Sequence, residues 1–479
     1  MGKSLFFNLL LVILLVDLFG CSKKDIDTGF DLKGEGPIPE GDYYVAPWGN
    51  DDSAGTFEQP WGTWQKAFET AKPGDIVYFR GGVWYPTTVY YGTSGIVYIN
   101  PYDTPHVGYD GTAENPICMF AYPGETPVLD CKNVKVPVNF LSAIEINRAN
   151  YWSIKGLTIT NVLQSKEATV HGFITGGCSN LTVENITVTN IGGKGIVNYN
   201  AFKNAIYPEQ AKINVDTTKY INCDASYCMD SKGRLPGLTD FGNYADGFWL
   251  NVENPVSYVK IQGCRSWMNS DDGFDLPTAG VIVMKNCWAF NNGHLAEGAG
   301  QGIRNDPARN ILPWTISNCI SAFNKYGGFT VGYNSDSSRP VNFYNNISYH
   351  QKYGLLVAQH IGETRLKDFH NNIFYDNNTF DLLLSDPTLT HSNNFWGAKV
   401  ELLNHDFEIP DHSPAVTVTD ADFVSLDVNE LLRPRNADHS LPDVDFLKLA
   451  PGSDLIDAGI NVGLPFSGSA PDMGAFEVE

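Results

Sequence analysis

"VKIQGCRSWMNSDDGFDL", residues 259–276, and "VIVMKNCWAFNNGH", residues 281–294, state one phrase twice: a short β-branched run, a turn, a second short run, then Gly. The phrase recurs as "LTVENITVTNIGGKGI" (181–196), "WTISNCISAFNKYGGFTV" (314–331), "VNFYNNISYHQKYGLLV" (341–357) and "FHNNIFYDNNTFDLLL" (369–384). Cys264 to Cys287 is 23 residues, Cys287 to Cys319 is 32, and Cys319 to Ile347 is 28. Periods of this length with strand-like alternation and no helical periodicity predict a β-solenoid. Each turn of such a coil buries its inward side chains against the turns above and below, with strands about 4.8 Å apart.

Two side-chain types follow from that geometry. Asn at a recurring bend tolerates left-handed backbone, and its amide can bond its counterpart one turn away. The sequons "NLT" and "NIT" are therefore read as ladder positions. Cys223, Cys264, Cys287 and Cys319 share one local slot, which Ile347 is expected to fill in the next turn. A slot open to Ile is apolar and buried, so these thiols are read as small core hydrophobes and not as disulfide partners. Without paired CxxC spacing, a zinc site is not expected.

Composition fits a folded β-protein, with 13% aromatic and only 18% charged residues and 46 Gly. A formal net charge of −22 argues against a nucleic-acid partner, so an acidic substrate would need local cations to receive it. No Pro/Ser-rich or charged linker divides residues 41–479, which are expected to form one elongated all-β domain. Residues 64–71 carry helical apolar spacing and are expected to cap the coil's start, and the turn-rich C-terminal tract its end. At the N-terminus, Lys3, the apolar run 9–16 and "LFGC" at 18–21 resemble a bacterial lipoprotein signal. Cys21 is then the lipidated first mature residue and 22–40 a polar tether, giving an exported outer-membrane lipoprotein whose only membrane contact is its lipid.

Charge concentrates at one place. Asp271, Asp272 and Asp275 fall within five residues, and Asp246 in "NYADGF" lies 25 residues before Asp271, read as one turn of the coil. The "ADGF" and "DDGF" phrases match, so four carboxylates are expected around one patch. Like charges this close repel unless a cation lies among them or some are protonated, and an all-oxygen set suits Ca²⁺. The alternative is that Asp271 and Asp272 cap a turn while Asp275 faces solvent.

"NYADGF", "CRSWMNSDDGFDL" and "NCWAFNNGH", in this order and spacing, resemble the family nine polysaccharide lyases, right-handed parallel β-helix enzymes that include pectate and rhamnogalacturonan lyases. The likeness runs well over 42–333 and weakly beyond. It implies that Asp246, Asp271, Asp272 and Asp275 bind a catalytic calcium, and that an acidic plant cell-wall polysaccharide is cut by β-elimination. It also implies a lysine base in a phrase like "GNGFK". Here the phrase is "GQGIRND" and the position holds Arg304, a departure, because a guanidinium is almost always protonated. Arg304 is the first candidate base. Alternatively it binds a uronate carboxylate while Lys285, Lys325 or His294 takes the proton. Arg265, Trp267, Arg309, Lys325 and Tyr333 are candidate sugar-groove residues, and a monomer is expected. A β-helix glycoside hydrolase and a catalytically inactive glycan-binding protein are the rival readings.

Overall fold

The computed structural model describes residues 40–135, 139–200, 217–234, 237, 241–252, 257–277, 280–305, 314–331, 341–357, 366–384, 390–397, 399–402 and 416–478. Cys21, the expected signal and most of the tether, Arg309 and Tyr333 lie outside these residues. Among the described residues no helix is long and apolar enough to cross a membrane.

Three long parallel sheets wrap one core. Counted over the described residues, the first has 12 strands, from Tyr43–Val45 to Thr390–Ser392. The second has 11, from Gly82–Trp84 to Phe395–Trp396, and the third 11, from Gly95–Ile99 to Val400–Leu402. In each sheet successive neighbours come from successive turns of the chain, which is the parallel β-helix expected from the repeat. One rung reads Tyr258–Gln262, a two-residue corner, Arg265–Trp267, a bend, and Phe274–Leu276.

Left-handed backbone makes the corner. Asn222, Asn286, Asn318, Asn345, Asn371 and Asn393 all have φ between 51° and 61° there, a conformation Asn adopts more readily than other side-chain-bearing residues. Beside them Cys223, Cys264, Cys287 and Cys319 stack as buried free thiols. The slot does not pass to Ile347, however. Ile347 pairs with Ile320, so the neighbour of Cys319 is Asn346, followed by Asn372 and Asn394. Asn346 Oδ1 accepts from the Cys319 amide at 3.0 Å, and the Asn amides bond one another at 3.0 and 2.9 Å. The slot lies beside corner amides that need acceptors, so a polar side chain suits it, and counting one residue late put Ile in it.

The second bend is built by Ser, Asn and Gly together. Ser266 Oγ donates to the Gly273 carbonyl and Ser321 Oγ to the Gly328 carbonyl, each at 2.8 Å. Asn269, Asn292, Asn324 and Gln351 form a buried amide ladder with links of 2.9, 2.9 and 3.0 Å. A Cβ on Gly247 would sit 1.9 Å from Ser266 Oγ, which explains the Gly of "ADGF". This bend carries Asp271 and Asp272.

The helix spans Trp64–Thr70, with Thr63 accepting from the Lys66 amide at its start. Trp64 and Phe68, one turn apart, pack on Phe79 and Trp152. The C-terminal tract departs from its expected place. Residues 416–478 lie along the outer face of the second sheet, where Val416, Phe423, Leu431, Phe446, Leu455 and Met473 form a second core with Trp288, Phe290, Ile320, Ile347 and Ile373. The cause is in the strands: "WAF", "ISA", "ISY" and "IFY" place apolar residues on the outer face too, and that face requires a cover.

Candidate active site

The acidic cluster sits on the outer face of the third sheet. Phe248 pairs with Phe274, so the residues two positions earlier, Asp246 and Asp272, are neighbours across the rung. The sequence count paired Asp246 with Asp271, and the register is one residue longer. Trp249, Asp275, Arg304 and Thr330 form the next column outward.

One carboxylate oxygen from each of Asp246, Asp272 and Asp275 lies within 4.8 Å of the other two, and all three residues are buried. Backbone amides fix the orientation. Asp246 Oδ1 accepts from the Asp272 amide at 3.2 Å, and Asp272 Oδ1 from the Gln301 amide at 2.7 Å. Asp271 Oδ1 accepts from the Ala299 amide at 2.8 Å, and this carboxylate stands outside the group of three. Asp272 Oδ2 is buried and accepts no hydrogen bond.

Electrostatics single out the bend. Burial first, and then the charge of Asp246, push the Asp271 carboxyl up to about 8. Asp272 is raised well above the usual carboxylate range by burial and by Asp271, Asp246 and Asp275, with Arg304 opposing. Buried carboxylates crowded in this way need a cation. Among the described residues Arg304 and Lys194 bring positive charge to them. Arg304 Nη1 lies 3.5 Å from Asp272 Oδ2, and its Nε lies 3.8 Å from Asp275 Oδ1. From the other side, Lys194 Nζ contacts Asp246 Oδ2 inside a buried pair. Burial pulls the Lys194 ammonium down, but Asp246, Tyr244 and Asp275 outweigh it and hold it above its ordinary value.

Lys194 is absent from the sequence-derived candidates. Its signal was there: it precedes Gly195-Ile196 as Asp246 precedes Gly247-Phe248, Asp272 precedes Gly273-Phe274 and Gln301 precedes Gly302-Ile303. Lys194 and Asp246 are 52 residues apart, which hid the correspondence from a count of regular periods.

The remaining candidates disperse. Arg265 is buried on the second sheet, where it bonds Asp224 at 3.0 and 2.8 Å and the carbonyls of Leu431 and Arg433, so it lines no groove beside the cluster. Trp267 stacks on Phe290 in the second core. Lys285 is on the first sheet. His294 is exposed, with a ring nitrogen 2.7 Å from the Asn291 carbonyl. Lys325 donates to the carbonyls of Leu295, Ala296 and Gly298 at 3.1, 2.8 and 2.8 Å, fastening the loop whose Ala299 and Gln301 amides orient Asp271 and Asp272.

Residues 43–378 match the Pel9A-like, right-handed beta helix region. The chain belongs to this family. Pectate lyase L of Dickeya dadantii (strain 3937) is 26% identical over 448 residues, covering 91% of this chain and 90% of that protein. Pectate lyase PEL9 of Emericella nidulans is 26% identical over 457 residues, covering 86% and 93%. The crystal structure of pectate lyase Pel9A superposes with a TM-score of 0.65 at 25% identity, over 91% of this chain and 96% of that one. A rhamnogalacturonan lyase shares the fold at a TM-score of 0.59 and 22% identity, over 85% and 96%. The three sheets thus form a right-handed parallel β-helix of the Pel9A kind.

The donor set suits a hard divalent ion. Three carboxylate oxygens within 4.8 Å of one another can share one Ca²⁺ at about 2.3–2.6 Å each. The fit rests on Asp272 Oδ2 above all, a buried carboxylate oxygen that makes no hydrogen bond, with the Arg304 guanidinium 3.5 Å away.

Proposed function

We propose that this chain is a calcium-dependent polysaccharide lyase that cuts a galacturonate-containing pectic polymer by β-elimination. The observation that carries the reading is the convergence of Asp246, Asp272 and Asp275 on the outer face of the third sheet, with Arg304 one rung further along. The pectate lyases among its relatives support the reaction class.

Asp246, Asp272 and Asp275 would hold the ion, with Asp271 beside them. Bound there, calcium would supply Lewis-acid withdrawal of charge from the uronate carboxylate, which makes the neighbouring C5 proton more acidic. Backbone amides of Asp272 and Gln301 hold the ligand carboxylates in place before substrate arrives, so little reorganisation is left for the reaction. Arg304 shares a column with Asp275 and faces the same surface, and we assign it as the base nearest C5. It can take the proton only after giving its own to solvent, which a divalent ion on Asp272 and Asp275 would favour by occupying the carboxylates that hold it charged. In the elimination the C5 proton passes to the base, C4 and C5 gain a double bond, the C4–O bond breaks with its electron pair leaving on oxygen, and that oxygen takes a proton from water. Trp249, next to Asp275 in the column, offers an indole to an adjoining sugar ring. Because an altered base position suits a polymer whose uronate has different neighbours, rhamnogalacturonan is placed ahead of homogalacturonan.

The test is product formation on a panel of pectic polymers with and without chelator. Elimination yields a conjugated uronate that absorbs in the ultraviolet, and chelator should abolish it. Cleavage without new absorbance would instead identify a hydrolase, and calcium-dependent binding without cleavage a glycan-binding protein. An exported lipid-anchored setting, with Cys21 acylated, suits a substrate too large to enter a cell. Metabolic labelling with a fatty acid, lost in Cys21→Ala, checks that point.

A further inference from the structure

We propose that Lys194 is the resident counter-ion of the acidic cluster and that its ammonium competes with the divalent ion for Asp246. The inference rests on the metal reading above and concerns what the ion must displace. Asp246 has two oxygens, and both are engaged. Oδ1 accepts from the Asp272 amide at 3.2 Å, a contact that locks the bend to the preceding rung. Oδ2 holds Lys194 Nζ. An ion that approaches Asp246 therefore meets an ammonium already in contact with its Oδ2, and two cations crowded on one carboxylate repel.

The surroundings give the displaced ammonium a place to go. Lys194 Nζ lies 4.3 Å from the Tyr244 ring centroid and 5.2 Å from that of Trp249. Tyr244 is steadied from behind, its hydroxyl 3.3 Å from His171 Nε2. A cation over aromatic faces keeps part of its stabilisation when its carboxylate is withdrawn, so the lysine can yield Asp246 without first returning to water. In the metal-free protein the same lysine offsets one negative charge of a buried group of three. The cluster can therefore fold before the ion arrives, and it binds that ion less tightly than its carboxylates alone would dictate. By linkage, what Lys194 loses on yielding Asp246, less what the aromatic rings restore, is the amount by which it lowers calcium affinity.

Calorimetric titration of calcium into the chelator-stripped full chain tests this without any substrate. Lys194→Met should bind calcium about 5- to 150-fold more tightly than wild type, the usual range for coupled sites. Lys194→Arg, which keeps a cation, should stay near wild type. Calcium should also raise the melting temperature of the Met variant more than that of wild type. Lys194→Gln must move in the same direction, which keeps the test decisive should the Met variant fail to fold. Equal or weaker calcium binding by the neutral variants overturns the competition and leaves the metal reading intact. Failure of wild type and variants alike to take up calcium overturns both.

Discussion

Two outer faces of this coil each bury an aspartate, and they treat it in opposite ways. On the second sheet Asp224 receives Arg265 at 3.0 and 2.8 Å and Arg435 at 2.7 and 3.1 Å. Burial alone would raise its carboxyl, but the two guanidiniums outweigh it and hold Asp224 below the ordinary value. The C-terminal tract then closes over the pair, with the Leu431 and Arg433 carbonyls taking what remains of Arg265. On the third sheet Asp271 and Asp272 are as deeply buried but raised, first by that burial and then by neighbouring carboxylates, with Lys194 opposing at Asp271 and Arg304 at Asp272 without outweighing them. One face completes its charge balance from within the chain and is structural. The other keeps carboxyls raised by burial and by one another even with Arg304 and Lys194 beside them, and perturbed buried carboxyls gathered in this way mark a candidate functional site.

Substitutions can break this contrast. The largest effect is expected from Asp272→Ala, which should abolish formation of the ultraviolet-absorbing product. The melting temperature of this variant in chelator should not fall, since one of several repelling charges is removed. A decreased melting temperature would place Asp272 with Asp224 as a structural residue. Next, Arg304→Ala should lower turnover about 10²- to 10⁴-fold, the usual contribution of a positioned base. Calcium binding measured by calorimetry should survive the change, and full turnover would remove Arg304 from the chemistry.

Asp224→Ala should act in the reverse sense. It leaves the buried Arg265 guanidinium and the half-buried Arg435 without their carboxylate and should cost about 3–5 kcal/mol of stability, with or without calcium. Activity per folded molecule should be unchanged, which denaturant melts and rate assays on the same sample can establish. The smallest effect separates the faces by pH. His171, behind Tyr244, is pushed down to about 3 by burial first and then by Lys194. A depressed folded value favours the neutral ring, so its contribution is complete above the unfolded value of about 6.5 and is lost as pH falls toward 3. Asp224 is also depressed, from 3.8, so its contribution is complete above 3.8 and is lost only below it. On the third-sheet face this loss is opposed by Asp271, whose raised carboxyl takes up its proton as pH falls through about 8 and relieves repulsion. The His171 limb is therefore read as the difference between wild type and His171→Asn, which should lack the part of the slope between about 6.5 and 4. An unchanged curve would show that His171 does not carry this limb.

The coil itself was legible because its bends repeat Asn, Cys and Gly at positions where the backbone needs them. The acidic bend was legible too, since three carboxylates in five residues are conspicuous in any context. What escaped was register. A one-residue error moved Asp246 from Asp272 to Asp271, and the same kind of error placed Ile347 in a slot that belongs to Asn346. Local phrases fix which residues bend, while pairing between rungs is set by loops of unequal length that no local phrase records. Lys194 escaped for that reason. Arg265 was misplaced for another: nothing near it in sequence announces Arg435, 170 residues later, or the tract that covers them both.

The central claim is that Asp246, Asp272 and Asp275 share one divalent cation. Titrating calcium into chelator-stripped wild type and Asp272→Ala under identical conditions tests it most directly. One ion per chain in wild type and none at that affinity in the variant is the predicted result. Equal stoichiometry and affinity in the two proteins would contradict it.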